Sequence, residues 1–271
     1  MTEFASAVAI VTGAGGGIGA ALAQRFAERG AKVVLTDINA ELLAATDAEL
    51  SAIFPGQITS LAGDVSDSDF IRASISHAED TFDGPVDIYA ANAGVGRGRD
   101  LEATPADWSV SIDVNLMAHV RAAEILVPGW LERGRGYFLS TASAAGLLTQ
   151  LGSATYSVTK HAAVGFAEWM KVTYGDRGIG VSCLCPMGVR TAMLDSGVAS
   201  EDDTDKFSTR AVTAAGAVLE PLAVAEVVVA AMQAGEFLVL PHPEVLEFYR
   251  RKAADYDRWI RGMQRFRLEL G

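Results

Sequence analysis

The sequence predicts a doubly wound α/β domain built on a parallel sheet. Two observations carry that prediction. Short apolar runs rich in β-branched residues alternate with amphipathic helical stretches, and a glycine-dense loop joins the first such run to the first helix. At 271 residues, 50% of them hydrophobic and 21% charged, the chain holds one large core and reads as a single domain over 1–271.

Ala7 to Thr12 is the first strand, followed at once by Gly13-Ala14-Gly15-Gly16-Gly17-Ile18-Gly19 and a helical pattern from Ala20 to Glu28. Strand, glycine loop and helix is the order of a dinucleotide site. The glycines let backbone amides approach a pyrophosphate, which then sits at the positive end of the helix. The spacing is Gly-x3-Gly-x-Gly instead of the commoner Gly-x-Gly-x2-Gly. Lys32 to Thr36 is the second strand and ends in Asp37, eighteen residues after Gly19. A carboxylate there can accept both adenosine ribose hydroxyls and repels a 2′-phosphate. No Arg or Lys lies in the loop or just after Asp37 to offset it, which favours NAD over NADP.

A helix from about Ala40 to Ile53 closes at Pro55-Gly56, and a third strand, Ile58 to Leu61, leads to Asp64-Val65. Asp64 stands at the carboxyl edge of the sheet, where an adenine contact is expected. Ser66 to Phe82 is helical, Gly84-Pro85 a turn, and Val86 to Ala90 a fourth strand ending in Asn92-Ala93-Gly94. Thr104 caps and Pro105 opens one long helix to about Leu131, with the amide of Asn115 inside it facing solvent or satisfied internally. Tyr137 to Ser140 is the fifth strand, and the loop through Ser143 to Ser153 leads into a helix from about Ala154 to Tyr174. Gly180 to Leu184 is the sixth strand, ended by Cys185-Pro186. From Thr191 to about Ala217 a loop or short mobile helices are expected over the site. Pro221 to Ala234 is a helix, Phe237 to Leu240 the seventh strand, and Pro243 onward a helical tail rich in Arg and Tyr.

Tyr156 and Lys160, four residues apart on a helix, share one face with Cβ atoms ~5 to 6 Å apart. A phenol beside a fixed ammonium gives up its proton below its ordinary pKa of about 10, a route to a general base near neutral pH. Ser143, thirteen residues earlier, returns to the same point if a strand-to-helix loop intervenes.

Composition excludes several function classes. With 22 Lys plus Arg against 34 Asp plus Glu, the net charge of −12 opposes binding to a phosphate backbone, so nucleic acid is not an expected partner. Met1 to Ser6 has no basic segment and the first apolar run breaks at Gly13, so neither a signal peptide nor a membrane span is expected and the expected location is cytoplasmic. Cys183 and Cys185 read as small apolar strand residues, and the scattered His77, His119, His161 and His242 give no metal site.

The combined motifs are Thr12-Gly13-x3-Gly17-x-Gly19, Asp64, Asn92-Ala93-Gly94, Asn115, Ser143, Tyr156-x3-Lys160 and Pro186-x2-Val189-x-Thr191. In order and spacing this set resembles the short-chain dehydrogenase/reductase family over nearly the whole chain. The resemblance implies a Rossmann-type fold with a seven-stranded parallel sheet. It implies that Tyr156 is the acid/base, that Lys160 binds the nicotinamide ribose and lowers the pKa of Tyr156, that Ser143 holds the substrate oxygen, and that Asn115 supports a water in a proton relay. By the same resemblance Gly13, Gly17, Ile18 and Gly19 contact the pyrophosphate, Asp37 the adenosine ribose, and Asp64 with Val65 the adenine. Asn92 and Gly94 flank the cofactor, and Val189 and Thr191 meet its carboxamide. A homotetramer or homodimer packed through the helices of Asn115 and Tyr156 is implied too. Two residues depart from the family pattern: Met187 stands where glycine is usual, and Cys185 where asparagine is common.

The expected reaction is hydride transfer between NAD(H) and a small-molecule substrate, a secondary alcohol or its ketone. An NAD-dependent epimerase or dehydratase on the same scaffold is one competing reading, and a non-catalytic redox sensor is another. A sensor needs no proton-handling Ser, Tyr, Lys and Asn set. Leu147, Leu148, Leu151, Met187, Met193 and Leu194 point to an apolar pocket and a hydrophobic or aromatic substrate, and the absence of a basic cluster near the site in sequence argues against acyl-carrier or CoA-linked ones.

Overall fold

A computed structural model describes residues 3–271. Seven strands form one parallel sheet: β1 (Val8–Thr12), β2 (Lys32–Asp37), β3 (Ile58–Ala62), β4 (Val86–Ala91), β5 (Gly136–Thr141), β6 (Ile179–Leu184) and β7 (Leu238–Val239), in spatial order β3-β2-β1-β4-β5-β6-β7. The order reverses between β1 and β4, which opens a crevice at their carboxyl ends.

Alternate residues of each strand feed two cores, because successive side chains point to opposite faces. Val11 and Leu35 pack with Leu22 and Phe26 of α1 (Gly17–Ala27), Leu43 of α2 (Ala40–Ile53) and Val228 of α9 (Pro221–Ala234). Ile10, Val34 and Phe138 pack on the other face, with Ile71 of α3 (Ser68–Phe82), Trp130 of α5 (Ala118–Arg133) and Met170 of α6 (Ala154–Tyr174). Strands covered on both sides have no polar face, which is why they read as near-continuous apolar runs.

The long helix expected from Pro105 is interrupted. It runs as α4 (Pro105–Ile112), a π-helical turn (Asp113–Met117), then α5. Thr104 caps α4 through a capping box with Asp107, and the Ala118 N–H bonds the Asp113 carbonyl five residues back. Asn115 sits within this turn, fully buried, with its side-chain amide directed inward. The stretch from Thr191 to Ala217 is also more regular than a loop: α7 (Ala192–Ala199), capped by Thr191, and α8 (Asp203–Ala215), capped by Asp202. The tail folds into α10 (Glu244–Ala254) and α11 (Tyr256–Leu270). Cys183 and Cys185 are buried free thiols with sulfurs 3.8 Å apart. Among the described residues no helix is long and apolar enough to cross a membrane, and no cluster of three metal-ligating side chains occurs.

Candidate active site

The crevice at the carboxyl edge is a cavity of about 1660 Å³. Single ligand pockets usually span ~300 to 1,000 Å³, so this one has room for two molecules. One end is backbone. Gly13 turns at φ +66°, and a Cβ on Gly19 would lie 2.1 Å from the Gly13 carbonyl oxygen, so loop and helix start close only without side chains. Asp37 stands beside the loop, its Oδ2 accepting from the Gly15 N–H at 3.0 Å and its Oδ1 from Asn39 N–H at 2.9 Å. The Thr12 hydroxyl ties this end to β4 by accepting the N–H groups of Asn92 and Ala93, both at 2.9 Å.

Ser143, Tyr156 and Lys160 stand on the wall of the same cavity. Ser143 follows β5, accepts from Ala145 N–H at 3.1 Å and donates to the Pro186 carbonyl at 3.4 Å, which fixes the loop against the end of β6. Tyr156 lies in the first turn of α6, capped by Ser153. Lys160, one turn on, is buried, donates to the Thr141 carbonyl at 3.0 Å and lies 5.6 Å from the centroid of the Tyr156 ring. An ammonium has three donors, and that carbonyl is the single acceptor found for it among the described residues. Burial without a paired carboxylate pulls the Lys160 ammonium down from 10.5 to about 8.

The Tyr156 phenol differs from the expectation. Burial holds it above 10.0, with the Ser143 hydroxyl pulling the other way. The reason is geometric: the ammonium rides over the ring and is spent partly on Thr141, so loss of water outweighs its field. Asn115 spans two segments, its Oδ1 accepting from Val95 N–H at 2.8 Å and its Nδ2 donating to the Val95 carbonyl at 2.9 Å and Thr159 Oγ1 at 3.1 Å. His119, one turn beyond Asn115, is fully buried with Nδ1 3.0 Å from Ser140 Oγ and Nε2 unpartnered. Burial, helped by the Lys160 charge, depresses it to about 3.

Comparison with known proteins agrees with this geometry. The short chain dehydrogenase family model matches residues 7–202. This chain belongs to the short-chain dehydrogenase family. It is 36% identical over 218 residues to the 1-deoxy-11-beta-hydroxypentalenate dehydrogenase of Streptomyces exfoliatus, covering 79% of this chain and 78% of the relative. It is 34% identical over 203 residues to momilactone A synthase of Oryza sativa subsp. japonica, covering 72% and 71%. A short chain dehydrogenase/reductase from Burkholderia phymatum, solved in complex with NAD, superposes with a TM-score of 0.85 at 30% identity over 95% of this chain and 96% of that one. The protein is therefore an oxidoreductase of this family with a nucleotide-cofactor fold.

The residues fit a dinucleotide. The glycine loop offers backbone where a Cβ would intrude, Asp37 sits where a ribose would meet it, and Lys160 retains donors at the cavity wall. Of the residues singled out from sequence, Gly13, Gly17, Ile18, Asp37, Asn92, Gly94, Ser143, Tyr156, Lys160, Val189 and Thr191 line this one cavity. Gly19 and Asn115 stand behind its wall. Asp64, exposed and capping Ser66 N–H at 2.8 Å, and buried Val65 stand outside it.

The expected apolar lining needs two corrections. Leu148, Leu151, Met187, Met193 and Leu194 line the cavity, but Leu147 turns into the core. Met187 is held by its N–H donating to His242 Nδ1 at 3.2 Å, and its methyl lies against Gly216. A basic set does reach the site as well: Arg251, Arg258 and Arg265, with Trp259, Met263 and Phe266, bring the tail into the cavity wall. The signal was present as apolar positions at 259, 263 and 266, spaced four and three apart, but their destination depends on where α11 docks.

Proposed function

We propose that this short-chain dehydrogenase transfers hydride between NAD(H) and an apolar secondary alcohol or its ketone, with Tyr156 as the acid/base. The observation that carries the reading is one cavity walled by Ser143, Tyr156 and Lys160 on one side and by the glycine loop with Asp37 on the other. Bound NAD+ supplies the hydride acceptor in oxidation and, as NADH, the donor in reduction. The remaining chemistry belongs to the chain. Tyr156 Oη takes the hydroxyl proton of the alcohol, or returns it to the ketone oxygen, while Ser143 Oγ holds that oxygen in line. Lys160 grips the nicotinamide ribose with its remaining donors, and its approach to the phenolate lowers the energy of the charged form. Asn115 and the π-helical turn brace the segment at Val95 beside it.

NAD is preferred to NADP on the strength of Asp37, with no Lys or Arg at that end of the cavity. The segment of about 187–217 closes over the substrate. Apolar side chains exposed on α6, Val158, Trp169 and Val172, support a homodimer or homotetramer through the helices of Asn115 and Tyr156. The test is incubation with NAD+ or NADP+ and a panel of cyclic secondary alcohols, followed at the NADH absorbance. Turnover with NAD+ preferred is expected. Cofactor binding with no turnover on any alcohol would instead favour a sensor.

A further inference from the structure

We infer that α11 is the substrate-recognition wall of this pocket, and that its Arg258 and Arg265 hold a carboxylate carried on the far side of an apolar alcohol. The inference rests on the hydride-transfer reading above and names the substrate class for it.

The wall is built, not a drifting tail. Lys252 of α10 is buried and donates to the carbonyls of Leu147 at 2.7 Å and Leu148 at 2.8 Å, directly beneath the loop that follows Ser143. Its ammonium also lies 5.4 Å from the Tyr256 ring centroid and 4.9 Å from that of Trp259, so one cation fastens the start of α11 to the site. Asp255 caps the helix by accepting the Arg258 N–H at 2.9 Å, and α11 packs on α8. Trp259, Met263 and Phe266 then form an apolar stripe on the cavity side.

Charge decides what flanks that stripe. Asp37 and Lys160 belong to the cofactor end. At the substrate end Asp205 is paired with Arg99 at 2.7 Å and Arg251 with Glu247 at 2.8 Å, while Asp255 keeps its charge and its carboxylate accepts the Arg258 backbone N–H. That leaves Arg258 and Arg265, exposed on the cavity rim and with no hydrogen-bond or ion-pair partner for their guanidinium groups among the described residues. They stand seven residues apart, two helical turns, on the edge of the apolar stripe. In a chain of net charge −12 these two guanidinium groups against the single unpaired carboxylate of Asp255 leave a positive rim on an apolar pocket. A neutral hydrophobic alcohol needs no such rim, whereas a ring system ending in a carboxylate meets both features, and guanidinium is the side chain suited to it. Arg261 and Arg267 of the same helix do not line this cavity and serve as internal controls.

The experiment compares lithocholate with its methyl ester, and hydroxycyclohexanecarboxylate with its methyl ester, as alcohol substrates of two lengths. Wild type, Arg258→Ala/Arg265→Ala and Arg261→Ala are assayed with NAD+. Equilibrium binding of the same probes to the NADH complex of Tyr156→Phe, with and without the double substitution, gives a readout independent of turnover. The expected result is a lower KM for an acid than for its ester in wild type. The double variant should raise the acid KM about 10- to 100-fold with little change in kcat, leave the ester unmoved, and differ from Arg261→Ala. Acid preference in binding without turnover would sink the hydride-transfer reading and leave the recognition role standing. Equal treatment of acid and ester by wild type, binding of neither, or equal loss on Arg261→Ala overturns the recognition role.

Discussion

The two ends of the cavity are made of different material. The cofactor end is backbone: a glycine loop, the strand ends of β1, β2 and β4, and side chains such as Thr12, Asp37 and Asn92 whose partners are main-chain groups. The substrate end is side chain: Leu148, Met193 of α7, Val212 of α8 and Trp259 of α11 come from four segments with little sheet support. Backbone held on a sheet keeps one shape and serves one ligand, while side chains on peripheral helices can be exchanged without disturbing the fold. Tyr156, Lys160 and Ser143 sit at the join: Lys160 and Ser143 are tied to the Thr141 and Pro186 carbonyls at the strand ends, and α6 carries Tyr156 beside them.

Removing the proposed acid/base at the join should break the comparison most severely. Tyr156→Phe keeps the ring over which the Lys160 ammonium lies and removes only the hydroxyl. We expect a loss of about 10² to 10⁴-fold in kcat with NADH affinity little changed, read by steady-state kinetics and NADH fluorescence titration. Undiminished turnover would remove the phenol from the mechanism.

A single charge at the cofactor end is the next test. Asp37→Asn removes the carboxylate charge and keeps one acceptor oxygen, enough for one of the two N–H groups, Gly15 or Asn39, that the carboxylate now accepts. The ratio of kcat/KM for NAD+ over NADP+ should fall about 10-fold or more, since the like-charge penalty against a 2′-phosphate is lifted. A ratio that stays fixed would mean that backbone shape alone sets cofactor choice.

Lys160 gives a pH-dependent version of the same question. Its folded-state pKa is depressed to about 8, so the free enzyme loses this charge as pH rises through that value. NADH binding should therefore weaken several-fold between about pH 7 and pH 9 in wild type and become flat in Lys160→Met. A slope that survives in the variant would assign the titration to another group.

The same contrast explains what could be read in advance. The glycine loop, Asp37 and the succession of strands and helices were legible because backbone geometry demands particular residue types at fixed spacing. Ser143, Tyr156 and Lys160 were legible as a set, but the phenol's direction of shift was not, because it depends on how much water the fold removes. The π-helical turn escaped because nothing in Val114-Asn115-Leu116 says whether the amide will turn inward to Val95. Leu147 and Leu148 are neighbours of identical type, and only packing sends one to the core and the other to the cavity. Arg258 and Arg265 read as ordinary surface charges and stay exposed; only the docking of α11 puts them on the cavity rim, and that docking hangs on Lys252, whose two carbonyl partners lie more than a hundred residues away.

The effect furthest from turnover concerns His119, which stands behind the join and touches neither end. Its imidazole is fully buried and has a folded pKa of about 3 against 6.5 for an ordinary histidine. Between those two values the unfolded chain binds a proton that the folded chain refuses, so stability rises with pH across this window and is lost as pH falls from 6.5 toward 3. Replacing it by glutamine, which can still meet Ser140 Oγ, removes the titration. In urea denaturation at a series of pH values, His119→Gln should lose stability less steeply in acid than wild type, by on the order of 2 kcal/mol between about pH 7 and pH 4.5. The carboxylates common to both proteins cancel in that difference. Parallel curves would mean that the site takes a proton without resistance, so that the buried layer behind Lys160 is wetter than its packing implies.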